Sequence, residues 1–196
     1  MKKIVLIINI LFISAPLFSK GFVFKAKADL NGDKKIDTIT LKPIGEKFIL
    51  KINNVKIIDQ SEDELDGFQI IDIDKSDKYL EIAVHSPGPS DDDVYLIYYY
   101  DGKRIKKMAR LARWPKFIGN SIIYVSDWMG FWMKHEKYQM NRRTRKIKLI
   151  AQDLHYVNQK AKVKKSFAIY QTRKRKRVLA YLKPKSEIII VAADTN

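Results

Sequence analysis

Apolar and polar positions alternate with a period of two over short runs along most of this chain, the pattern of half-buried β-strands rather than of helices. Residues 37–44, 47–52, 68–73, 80–85, 94–100 and 105–111 are rich in β-branched and aromatic side chains and are separated by polar turns. Asp101-Gly102, between Tyr98-Tyr99-Tyr100 and Lys103-Arg104-Ile105, is a two-residue hairpin signal. The pattern resumes over 121–126, 131–140, 146–151, 163–170 and 187–192. No segment carries the 3.6-residue period of an amphipathic helix. The expected fold is all-β, with short antiparallel strands at the spacing of blades, barrels or sandwiches.

One turn between strands has a composition of its own. Asp29-Leu30-Asn31-Gly32-Asp33-Lys34-Lys35-Ile36-Asp37 places side-chain oxygens at positions 1, 3, 5 and 9 of a tight loop, the way a protein surrounds a hard cation such as calcium. In that arrangement Gly32 lets the backbone turn, Lys35 lends its main-chain carbonyl, and Ile36 anchors the loop to a core. The alternative is a polar Asn-Gly-Asp turn that binds nothing. Residues 71–84 echo residues 28–40 with one inserted residue, and the leading aspartates, Asp29 and Asp72, lie 43 positions apart. That period suits a four-stranded blade. The second loop offers Asp72, Asp74, Asp77 and Glu81, without the glycine. A third copy would begin near Phe117, but Val125-Ser126-Asp127-Trp128 carries no ligand cluster.

The first loop resembles the calcium loops of FG-GAP and VCBS-type repeats, in which Asp-x-Asn-Gly-Asp-x-x-x-Asp opens a strand of an integrin-type β-propeller blade. The resemblance implies a structural calcium held by Asp29, Asn31, Asp33, Asp37 and the Lys35 carbonyl. An EF-hand matches less well, since its loop takes Gly at position 6 and Glu at position 12, where this chain has Lys34 and Thr40. Two or three blades do not close a propeller, so the expectation is an incomplete propeller or a blade-derived sandwich. Near the C-terminus, residues 163–170, 177–185 and 187–191 resemble the opening strands of a bacterial Src-homology-3-like domain.

The N-terminus bears on the compartment. Lys2 and Lys3 precede apolar runs over 4–8 and 10–13, and Ser14-Ala15-Pro16-Leu17-Phe18-Ser19 follows, the layout of a secretory signal peptide cleaved after Ser19. The run is short for a transmembrane span. The sequence has no cysteine, which removes disulfides, thiolate metal sites and a lipoprotein anchor. The expected domains are a signal peptide over 1–19, a β-repeat domain over 20–158 and C-terminal strands over 159–196. The expected location is periplasmic, cell-surface or secreted, in a bacterium.

Net charge is +16, and its distribution bears on partners. From Asp59 to Asp93 there are 12 acidic and 2 basic residues, and from Asp101 to Asn196 25 basic and 6 acidic. Two basic runs, Arg142-Arg143-Thr144-Arg145-Lys146 and Arg173-Lys174-Arg175-Lys176-Arg177, fall in expected hairpin turns. There they would project into solvent and collect polyanions. An exported protein meets phosphate-bearing envelope polymers, lipopolysaccharide, anionic head groups or host glycosaminoglycans more often than nucleic acid. Another surface protein is a further partner class. The aromatic runs 98–100 and 128–132 suit either a sugar-stacking platform or cross-strand core pairs.

Catalytic signals are sparse. The three histidines, His85, His135 and His155, lack metal-ligand spacing, and neither a nucleophile elbow nor a phosphate-cradling glycine loop is present. His85-Ser86-Pro87-Gly88-Pro89-Ser90-Asp91-Asp92-Asp93 gathers histidine, hydroxyls and carboxylates, but its Pro-Gly-Pro core reads as a rigid connection. The expectation is a non-enzymatic, calcium-stabilised binding or scaffold module, with polyanion binding through the basic C-terminal turns as the alternative.

Overall fold

The computed structural model describes residues 23–61 and 63–194; the signal-peptide reading of residues 1–19 lies outside them. Three consecutive four-stranded antiparallel sheets make up most of the chain. The first holds β1 (Lys25–Ala28), β2 (Asp37–Ile44), β3 (Lys47–Ile52) and β4 (Val55–Gln60). The second holds β5 (Gly67–Ile71), β6 (Glu81–Ser86), β7 (Val94–Tyr100) and β8 (Ile105–Ala112). The third holds β9 (Trp114–Phe117), β10 (Ile122–Trp128), β11 (Met133–Met140) and β12 (Ile147–Ile150). In each, strands adjacent in sequence are adjacent in the sheet, so every connection is short and every sheet is an up-and-down meander. The chain is therefore all-β. Among the described residues no helix is long and apolar enough to cross a membrane.

The second sheet lies between the other two, and its sequence carries the consequence. All six residues of β6 are buried, as are six of the seven in β7. Ile82, Val84, Leu96 and Tyr98 turn toward the first sheet and pack with Leu30, Ile39, Phe48 and Leu50. Ala83, Tyr95 and Ile97 turn the other way, onto Ile123, Met140 and Ile147 of the third sheet. Two covered faces turn an alternating pattern into a continuous apolar run. Sheet one, covered on one face among the described residues, keeps clean alternation, as in the buried Asp37, Ile39 and Leu41 of β2 and the buried Phe48, Leu50 and Ile52 of β3.

Four strands fall outside both the alternating runs and the C-terminal segments singled out in the sequence: β1, β4, β9 and β13 (His155–Lys162). β4 follows a two-residue turn in which Asn53 sits at φ 52°, a left-handed conformation that asparagine tolerates. Beyond the third sheet, β13 pairs with β16 (Glu187–Ala193), and β14 (Phe167–Tyr170) pairs with β15 (Val178–Leu182) inside that pair. The boundary expected at 158/159 falls inside β13, at a shift of its pairing register between Tyr156 and Gln159. The segment likened to a Src-homology-3 domain supplies β14, β15 and β16, whose side chains are mostly exposed.

The three-layer arrangement predicts unequal costs. Ile82→Ala, fully buried in the middle sheet, should lose about 2–5 kcal/mol. Ile58→Ala, 63% exposed on β4, should change stability by less than about 0.5 kcal/mol. Urea melts of the two variants check both values.

Candidate functional site

The first loop joins β1 to β2 and is folded around its own carboxylates. Asp29 accepts N–H groups from Asp33 at 3.1 Å and Lys34 at 2.7 Å, and Asn31 Oδ1 accepts the Asp33 N–H at 3.0 Å. Asp33 accepts from Lys35 at 2.8 Å. Asp37, buried, receives the Leu30 N–H at 3.0 Å and the Asn53 amide at 2.7 Å. Gly32 has φ 66°, and a Cβ there would stand 2.7 Å from the Lys78 Cβ, so glycine is needed both for the turn and for the approach of the second loop. The expected anchor is corrected. Ile36 is 65% exposed, and the fully buried Leu30 holds the loop to the core, because its N–H is fixed by Asp37.

The second loop joins β5 to β6 and repeats this frame. Ile73 is fully buried and donates its N–H to Glu81 Oε2 at 3.0 Å, as Leu30 does to Asp37. Its remaining charge is met differently. Arg142 grips Asp74 in a two-point contact, Nε to Oδ2 at 2.5 Å and Nη2 to Oδ1 at 3.1 Å, while Ser76 and Ser121 donate hydroxyls to the same carboxylate. Arg145 bridges Asp77 and Glu81 through its two terminal nitrogens. Its guanidinium carbon also lies 4.9 Å from the Tyr79 ring centre and 5.4 Å from that of Tyr99. Both arginines come from the β11–β12 turn of the next sheet. Asp72 retains one buried oxygen, Oδ1, with no hydrogen-bond partner among the described residues.

Arg145 therefore does not project into solvent; it is 6% exposed. The reason is electrostatic. Glu81, buried at the start of β6, requires a cation within reach, and a planar guanidinium satisfies it and the neighbouring Asp77 at once. Arg142 is half of the same device. Arg143 stays exposed, and Lys146 Nζ donates to the Lys107 carbonyl at 3.1 Å. An open cleft of about 740 Å³ beside this turn is lined by Arg142, Arg143, Lys146 and Lys148 together with Asn120 and Asn141. In the other basic run Arg173 pairs with Asp194, and Lys174, Arg175, Lys176 and Arg177 are exposed in the β14–β15 turn.

The two loops thus differ in their counter-ions. Asp29, Asp33 and Asp37 of the first make no ion pair with any described residue, and the neighbouring hairpin turn holds Arg104 against its own Asp101. Among the described residues no three His, Asp or Glu side chains converge as a metal-ligand group. His85 is buried with Nδ1 2.6 Å from Asp66 and Nε2 3.7 Å from Asp93, beside the rings of Tyr95 and Trp114. The adjacent Ser86 hydroxyl accepts the Asp63 N–H and donates to the Glu64 carbonyl, which binds the loop from Asp63 to Asp66 onto β6.

Titration follows from these partners. Burial pushes the Glu81 carboxyl up to about 7, against the pull of the Ile73 N–H and Arg145. Burial also opposes ionisation of Asp74, but the bonds from Ser121, Ser76 and Arg142 outweigh it and hold the group below the usual range. With its folded value above the ordinary 4.5, Glu81 contributes stability that is full below about pH 4.5 and is lost as the pH rises through about 7. Asp74 contributes with the opposite sign, its share present above about pH 3.8 and lost on acidification.

Arg145→Ala, which strands two carboxylates, should cost about 3–5 kcal/mol. Arg143→Ala should stay within about 0.5 kcal/mol. Glu81→Gln should flatten the decline in stability between pH 4.5 and 7. Urea midpoints measured across pH test all three, and an unchanged slope in Glu81→Gln would assign that decline to another group. No family model, curated protein or solved structure matches this chain.

Proposed function

We propose that this is an exported, non-catalytic β-repeat module of the FG-GAP/VCBS-like kind, whose first loop takes up calcium as a structural staple. The observation that carries the reading is the contrast between two equivalent loops. In the second, three carboxylates are neutralised by Arg142 and Arg145. In the first, Asp29, Asp33 and Asp37 have no cationic partner among the described residues. Donor chemistry fits a hard cation, since each carboxylate oxygen that accepts one N–H keeps a second lone pair. Asp29, Asn31, Asp33, Asp37 and the Lys35 carbonyl would hold the ion. When bound, calcium supplies charge neutralisation and rigidity. The chain's own residues hold the turn, with Leu30 in the core and Asn53 tying Asp37 to the β3–β4 turn.

Thermal melts after chelation, then with calcium or magnesium, test this. Calcium at a hundredfold excess over Kd should add about 2.7 kcal/mol. The gain should vanish in Asp33→Ala and persist in Asp77→Ala. No shift with calcium, or an equal shift in Asp33→Ala, overturns the assignment.

A second reading, polyanion binding, is favoured by the basic cleft at Arg142, Arg143, Lys146 and Lys148 and by the exposed turn from Lys174 to Arg177. Affinity for a phosphate- or sulfate-bearing polymer should fall steeply with ionic strength. It should also fail when Arg143, Lys146 and Lys148 become Ser, substitutions that leave Arg145 in place.

A further inference from the structure

We infer that the outer face of the first sheet is a docking surface for an anionic lipid bilayer. The register of β1–β4 places Lys25, Lys27, Lys42, Lys47, Lys51 and Lys56 on one face, opposite the face that packs on the second sheet. All six are exposed, and none forms an ion pair with a described residue. Among the described residues no Asp or Glu occupies a strand position on this face. One row runs across all four strands as Lys25, Thr40, Lys51 and Lys56, and the rows on either side carry Lys27 and Lys42. Lys47 continues the pattern one row further, beside Ile44.

Such a face costs stability when it stands alone. Lys51 and Lys56 are directly opposed across β3 and β4, and like charges in that position repel. A negative partner reverses the sign of that term. The charges spread in two dimensions, at about 4.8 Å across strands and about 6.8 Å between alternate residues, rather than along one line. A linear polyanion would meet one row of such an array, whereas a plane of head groups meets every row at once. Ile44 and Ile58, 50% and 63% exposed on the same face, add apolar contact at head-group depth. This surface is remote in sequence from the basic cleft and uses none of its residues. It does not require calcium, so failure here and failure of either functional reading are separable.

The test is co-sedimentation of the full chain with phosphatidylcholine vesicles, with and without phosphatidylglycerol. Residues 1–22 are common to every variant, so their contribution cancels in the comparison. Each lysine near an anionic surface is worth about fivefold in partition. Lys25→Gln, Lys51→Gln and Lys56→Gln together should lower binding to phosphatidylglycerol vesicles roughly a hundredfold. Binding to phosphatidylcholine alone should not change. Arginine at the same three positions should restore the loss, and the pair Lys42→Gln with Lys47→Gln should weaken binding through different rows. A thermal melt of each variant at or above the parent's shows that the fold is intact. The inference is overturned if the triple glutamine variant binds as the parent does, if Arg143→Gln, Lys146→Gln and Lys148→Gln abolish vesicle binding instead, or if soluble polyphosphate binds through these lysines while the vesicles do not.

Discussion

Burial of β6 on both faces is the constraint from which most of this structure follows. A strand with every residue from Glu81 to Ser86 buried needs an apolar layer on either side, and the first and third sheets supply them. It also carries two titratable side chains, Glu81 at its start and His85 near its end, out of water. Each then requires charged or hydrogen-bonding partners from outside the strand. Glu81 receives Arg145 from the third sheet, and His85 is held beside Asp66 and Asp93. The stacking of the sheets and the placing of the buried charges are one problem with one solution.

The same principle separates the three groups of cations. Arg145 is consumed internally, where low dielectric makes a paired guanidinium effective and an unpaired carboxylate costly, while Arg142, its side chain 63% exposed, closes over the buried Asp74 from the surface. The basic residues in the β14–β15 turn and beside the cleft remain in solvent, where their mutual field is screened. The lysines of the first sheet form a third group, ordered by strand register and lacking carboxylates between them. The last two groups, together with the exposed edge of Arg142, are placed to meet something outside the chain. The unequal neutralisation of the two aspartate loops has the same origin, because the third sheet brings arginines to its neighbour and the second sheet brings none to the first loop.

Much of the fold was legible because strand formation is local. Alternation in 37–44 and 47–52 marks β2 and β3, and Asp101-Gly102 marks the β7–β8 hairpin, whose loop spans four residues, 101–104, rather than the two expected. The echo of residues 28–40 in 71–84 marks two loops that prove to share a backbone-to-carboxylate frame, Leu30 with Asp37 and Ile73 with Glu81. Strands such as β1 and β4 escaped because each has only two core-facing apolar residues, Ala26 and Ala28 in one and Val55 and Ile57 in the other, and their pairing partners, not their composition, make them strands.

The sequence by itself determined the all-β class, the strand-forming runs, the recurring aspartate loops and the separation of an acidic segment from a basic one. Its excess of opposite charges in two segments was compatible with internal pairing and with external partners alike. Only the tertiary structure decided between them residue by residue, bringing Arg142 to Asp74 and Arg145 to Asp77 and Glu81 across more than 60 positions of chain. It likewise decided that Leu30 rather than Ile36 anchors the first loop, and that six lysines scattered over four strands share a face. The physical reason is common to all three. Strand propensity and turn chemistry act between neighbours in sequence, whereas burial, counter-ion choice and the composition of a sheet face depend on which strands are paired and which layers are stacked.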